Sequence, residues 1–495
     1  MQTLPARLND FAGGNKFSHN QMMLNKTWFP KKDILVFFVF YFIAHGGILF
    51  LGNSVFWDDW VLVGASFENI STEFSEAGSF LNISTYILAP LNTLGAFAYK
   101  ILTFILMFFT GVLFYKLLIR DVKLKQNQAF LVGMLYLISP LFIARVALID
   151  FGYVLCVFLF FAGWWYFFEK RIISLLLFFV SFFTQSLMVF YCIPIFFTMN
   201  ILNKNKNYFS VIKNRIDFLL LPFIWFYLKL TFYKPYGNYA GYNEHYNIKN
   251  LFNSPYAQWL DFKSYLATNQ VTSKIFFIVF FILICILMLG KFKIVMKDSK
   301  PIKLIFYGIL AFLLGVFPYW ILGHVPSFWE WTSRHQLLMS FGLSIMIVGI
   351  IGSLSFYFQQ IALTSIVSIC LIINWTNYQD FYNDSIKQKE LVSFLKESKE
   401  VQNSSLIIFD DKSANAIFRS YRFYEWNGLL HTAYPEDFSK FGINLAELNS
   451  YDSGSYDTQF KRFHTTINHQ RTNAAVMVKL ERIDGKNIFI LNSYR

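Results

Sequence analysis

From residue 34 to residue 376 the chain is a succession of apolar runs, at or near the roughly 20 residues that a helix needs to cross a bilayer. Clusters of lysine and arginine separate them. That pattern excludes most soluble folds and points to an integral membrane protein. Apolar residues make up 55% of the chain and charged residues only 15%, with 61 phenylalanines among 495 positions. A net charge of +13 would suggest nucleic acid in a soluble protein. Here the lysines sit between apolar runs, where they act as topology signals, and no nucleic-acid partner is expected. The four cysteines (Cys156, Cys192, Cys285, Cys370) fall inside apolar runs, with no spacing for a loop disulfide or a metal.

Residues 1–33 are polar and carry Arg7, Lys16, Lys26, Lys31 and Lys32. They read as a cytoplasmic segment too long for a signal n-region, so the run at 34–51 is expected to be a retained helix. Further spans are expected at about 94–118, 129–144, 151–168, 218–232, 275–289, 304–322, 336–352 and 361–375. Two short helices should turn near 184–186. Eleven crossings that start inside place the C-terminus outside, and the lysines at 291–303 mark the clearest cytoplasmic loop. The expected architecture is an α-helical polytopic membrane domain over 34–376, with outer loops 53–93, 234–273 and 323–335. From 377 charges become dense and apolar residues alternate. Residues 377–495 read as a small α+β extracytoplasmic domain, with a helix near 386–399, a strand near 405–409 and a hairpin turning at Asp484-Gly485.

The chemistry-bearing candidates gather in the outer loops. Trp57-Asp58-Asp59-Trp60 follows the first apolar run, in a stretch with no lysine or arginine between Asp33 and Lys100. Two carboxylates framed by tryptophans can present a general base at a membrane surface, or be solvated loop acids beside an interfacial belt. Arg334-His335 opens the tenth run; its guanidinium can hold a phosphate in a bidentate fork, or pair with Glu330. Lys100 and Lys229, near apolar-run ends, can snorkel to the interface or join a phosphate site. Arg145 and Asp150 flank the turn after the third run, where a structural ion pair is the default. His324, His335, His245 and Glu330 could meet Asp58 or Asp59 around a divalent metal, but no dedicated metal spacing exists and no cofactor is expected. In the C-terminal domain, Asp410, Asp411, Tyr421, Arg422, Glu425 and His431 form no motif, and most read as solvated surface.

This layout resembles the GT-C superfamily of membrane glycosyltransferases, in which an acidic motif follows helix one. Asp58-Asp59 matches that motif, and Arg334 matches a phosphate-facing arginine near a late helix mouth. In size, short first loop and phenylalanine-rich helices it is most similar to bacterial O-antigen-modifying glucosyltransferases. The resemblance covers about 34–376 and implies a bacterial inner-membrane enzyme with a periplasmic site. It would move a sugar, with glucose the expected one, from undecaprenyl phosphate to a lipid-linked or polysaccharide acceptor with inversion, modifying lipopolysaccharide and so converting serotype. Asp58 or Asp59 would be the base, Arg334, Lys100 and Lys229 would bind the donor phosphate, and Trp57, Trp60, His324, Glu330 and His335 would contact substrate. An O-antigen polymerase or ligase is the nearest rival chemistry. A lipid-linked oligosaccharide flippase is a rival of another class, disfavoured because the chain shows no repeated halves and few mid-membrane charges.

Overall fold

The computed structural model describes residues 31–202, 208–241, 246–268, 278, 281–282, 301–328, 331–413, 421–435, 440–449 and 475–494. The eighth expected span, most of the 291–303 lysine loop, His245, Trp329 and Glu330 lie outside them. The chain is mostly helical, 73%, with one small C-terminal sheet. Among the described residues three helices are long and apolar enough to cross a membrane: Ala96–Arg120, Pro301–Ile321 and Phe356–Glu397. Shorter apolar helices include Phe151–Tyr166, Arg171–Ser181 and Met339–Gly352.

The helices close on one another through small residues and rings. A Cβ on Gly308 would lie 2.5 Å from the Met346 backbone nitrogen, so the Pro301–Ile321 and Met339–Gly352 helices touch backbone to backbone. Phe341 stacks on Tyr136 at 4.2 Å and on Phe161 at 4.6 Å, tying three helices at the centre. The chain turns between Arg171–Ser181 and Ser186–Phe190, where the sequence places two short helices.

Two elements depart from the sequence reading. The third run stops being helical at Leu137, not near 144, because Pro140 removes an N–H and bars the helical conformation to the residue before it. Residues 138–150 follow as an irregular, mostly buried stretch with one short turn, Ile143–Val146. The second departure is Phe356–Glu397, one helix of 42 residues. At ~1.5 Å per residue it is about 63 Å long, twice the ~30 Å of hydrocarbon that one span needs. The expected boundary at 376/377 falls inside it. The composition turns polar there while the helical backbone continues.

The C-terminal sheet has the order β2-β1-β3-β4, with β1 (Leu406–Asp411), β2 (Phe441–Asn444), β3 (Ala475–Ile483) and β4 (Lys486–Tyr494). β1 runs parallel to β2 and β3, and β3 pairs antiparallel with β4. Asp484 and Gly485 close that hairpin with positive φ at both positions, as a two-residue turn requires. The helix Phe423–Ala433 leans on the sheet through Trp426, stacked on Phe409 at 4.1 Å. Tyr421 and Glu425, read from sequence as surface, are 1% exposed.

Candidate functional site

The acidic stretch is shaped by one unusual backbone position. Trp57 has φ 53°, in the left-handed region that non-glycine residues seldom adopt. The chain reverses there and starts the short helix Asp59–Leu62. Asp58 and Asp59 therefore leave consecutive helical positions about 100° apart and face different neighbours. Trp57 is 1% exposed and packs edge-on against Phe381 of the long helix at 5.4 Å. Trp60 is buried against Gly428, where any Cβ would land on the indole. Both tryptophans thus wedge the acidic turn between the helical bundle and the C-terminal domain.

Asp59 points inward and is fully occupied. Its Oδ2 accepts from the Leu148 N–H at 2.6 Å and the Tyr99 hydroxyl at 2.8 Å, and its Oδ1 from the Ile149 N–H at 2.9 Å. Burial pushes its carboxyl up to about 6, while those donors and the Lys100 charge pull the other way. Asp58 points the other way and is half-buried. It accepts the Tyr424 hydroxyl at 2.5 Å, a partner from the C-terminal domain. A second link runs beside it: Gln388 donates to the Val55 carbonyl and to Asp384, and Asp384 also accepts from Tyr421 at 2.6 Å.

The turn held by Asp59 leads directly to Asp150. That side chain is 0% exposed, and neither carboxylate oxygen has a hydrogen-bond partner. Burial holds its carboxyl well above the usual range; Arg334 draws it down, and Asp59 and Asp58 push it up. Arg334 lies on the turn Trp331–Gln336, joined to the 138–150 stretch by the Ser333 hydroxyl, which accepts the Ala144 N–H at 2.9 Å. Its guanidinium lies 3.8 Å from the Trp331 ring centroid and 5.8 Å from that of Tyr153. His335 and His324 stack beside it at 5.3 Å. Burial, with Arg334 second, lowers both histidines, so they stay uncharged near neutrality. The segments carrying Asp58-Asp59, Asp150 and Arg334 thus pack together: Asp59 holds the Leu148 and Ile149 N–H groups, and Ser333 that of Ala144.

No protein-family model, curated protein or solved structure compared with the chain matches it.

The lysines occupy other positions. Lys100 is 0% exposed and donates to the carbonyls of Gly52 at 3.0 Å and Ser54 at 2.5 Å. Lys229 donates to the Gly78 carbonyl at 2.9 Å. Both hold backbone turns of the 53–93 stretch. Arg145 and Asp150 do not form the ion pair that their spacing suggests: Arg145 turns to the Phe142 and Ser139 carbonyls, and neither Asp150 oxygen has a hydrogen-bond partner. Among the described residues no three His, Cys, Asp or Glu side chains gather as a metal site. Sequence reasoning missed Tyr424 and the role of Asp150. Only the apolar stretch ahead of Asp150, which makes a buried acid costly, could have signalled the latter.

Proposed function

We propose that this protein is a membrane glycosyltransferase of the GT-C type. In that reading about eleven helices cross the bacterial inner membrane, and the Asp58 stretch and the C-terminal domain face the periplasm. The observation that carries it is the packing of the Asp58-Asp59, Asp150 and Arg334 segments on one another, with the C-terminal domain reaching Asp58 through Tyr424. Asp58 is the general base that removes the proton of an acceptor hydroxyl. Asp59 is the anchor that sets the base's position, since its own oxygens are taken by three donors. Arg334, pre-stacked on Trp331, stabilises the charge that develops on the leaving undecaprenyl phosphate. Asp150, holding its proton to higher pH than an ordinary carboxyl, cancels less of that positive charge than an ionised neighbour would. The sugar moves in one displacement with inversion at the anomeric carbon. The acceptor oxygen bonds to that carbon as the carbon–phosphate oxygen bond breaks.

The test is structural analysis of the host's surface polysaccharide with and without the protein. A sugar branch present only with the protein supports transfer. A chain of altered length with unchanged branching supports polymerase or ligase chemistry instead, and an unchanged glycan removes the reading.

A further inference from the structure

Among the described residues Arg145 has no counterion. It lies on the turn Ile143–Val146 in the irregular stretch after Pro140 and is 4% exposed. Its Nε donates to the Phe142 carbonyl at 2.5 Å and its Nη2 to the Ser139 carbonyl at 3.3 Å. Nη1 is buried without a partner. Neither oxygen of Asp150, the acid nearest in sequence, has a hydrogen-bond partner. Among the described residues no carboxylate forms an ion pair with Arg145.

The segment that carries Arg145 lies against the long helix, whose Tyr378 is paired with His45 of Lys31–His45. The Tyr378 hydroxyl and His45 Nδ1 lie 3.3 Å apart. One turn before Tyr378, Asn374 donates to the Ile138 carbonyl at 2.8 Å, fixing the long helix against the segment that carries Arg145. Arg334 lies elsewhere, over the rings of Trp331 and Tyr153. The two guanidiniums therefore serve two places.

A cation kept in apolar surroundings needs a compensating partner, and carbonyl dipoles supply only part of it. A guanidinium N–H without a partner, with a phenolic O–H close by on the neighbouring helix, suits an anion with several oxygens. We propose that Arg145, with Tyr378 and His45, forms an oxyanion site inside the bundle, separate from Arg334, that takes a phosphate group, free or as the head of a lipid. This site does not depend on transferase chemistry.

The experiment counts phosphate bound at saturation to the full-length protein in detergent, with farnesyl phosphate and inorganic phosphate as parallel probes and farnesol as the uncharged control. Wild type should bind phosphate at the Arg145 site, and Arg145→Gln should lose that equivalent or weaken it at least about tenfold, as loss of a charge-assisted bond does. Arg334→Gln should leave it in place. Saturation by farnesyl phosphate alone identifies a lipid head; equal binding of inorganic phosphate identifies the free ion. Binding untouched by Arg145→Gln, or no phosphate binding by wild type, overturns the proposal. If Arg145→Gln cannot be purified folded, Arg145→Lys keeps the cation while losing the fork. It should weaken binding at an unchanged thermal midpoint, and unaltered affinity there overturns the site equally.

Discussion

The Tyr424 hydroxyl donates to Asp58 at 2.5 Å across 366 residues of sequence. One hydrogen bond thus joins the C-terminal domain to the acidic turn at the head of the helical bundle. The ring of Tyr424 is 2% exposed, so packing fixes the hydroxyl before any substrate arrives. Tyr424→Phe keeps the ring and removes only that donor. We expect normal membrane levels and a fall of about tenfold in transfer rate, the scale of one hydrogen bond to a charged group. Rate assays on membranes matched for protein level check it; an unchanged rate separates the domain from the chemistry.

Asp59→Asn should act on stability first. Whichever way the amide is turned, its NH₂ faces a backbone N–H, of Leu148 or of Ile149, so one buried donor loses its acceptor. The cost should be about 3 kcal/mol, within the range for breaking a buried charged contact. Thermal unfolding of the purified variant measures it.

The same residue gives a pH signature. Asp59 releases its proton at about 6 in the folded chain, against an ordinary value of 3.8. Between those values the folded state holds the extra proton, so its contribution is fully present below about 4 and is lost as pH rises through about 6. The melting temperature of wild type relative to Asp59→Asn should therefore fall across that window and level off above it. A difference that is flat from pH 4 to 7 contradicts the assignment.

Arg334→Lys should lose at least tenfold in activity with little change in stability. Lysine keeps the charge but has neither the planar face that stacks on Trp331 at 3.8 Å nor a two-pronged donor. Near-normal activity would mean that the residue is needed only as a charge.

Gly428→Ala should push the C-terminal helix off Trp60 and cost about 1–3 kcal/mol, as overpacking does. Trp60→Phe in the same chain should recover part of that loss. Unfolding midpoints of the two single variants and the double variant decide this by their non-additivity.

The sequence made some of this legible and not the rest, for physical reasons. Apolar runs and the Asp484-Gly485 turn announce themselves because their signals are local. Pro140 also ends its helix locally, yet the apolar residues around it mask the break. The long helix Phe356–Glu397 reads in sequence as two elements, since a change of composition along one helix looks like a change of element. Asp58 and Asp59 are equivalent in sequence and separate only through the left-handed turn at Trp57, which no residue type there predicts. Arg145 and Asp150 sit at a spacing that invites an ion pair, but the irregular stretch between them turns them apart. Tyr424 carries no local mark, because its meaning comes from a contact that only folding makes.

The most direct test of the central claim is the rate of sugar transfer from polyprenyl phosphate by Asp58→Asn, at matched membrane level and melting temperature. Removing the base should lower the rate by about 10²–10⁴ while leaving stability near wild type, since Asp58 is half-buried and an asparagine can still accept the Tyr424 hydroxyl. A folded Asp58→Asn protein that transfers sugar at the wild-type rate would contradict the account.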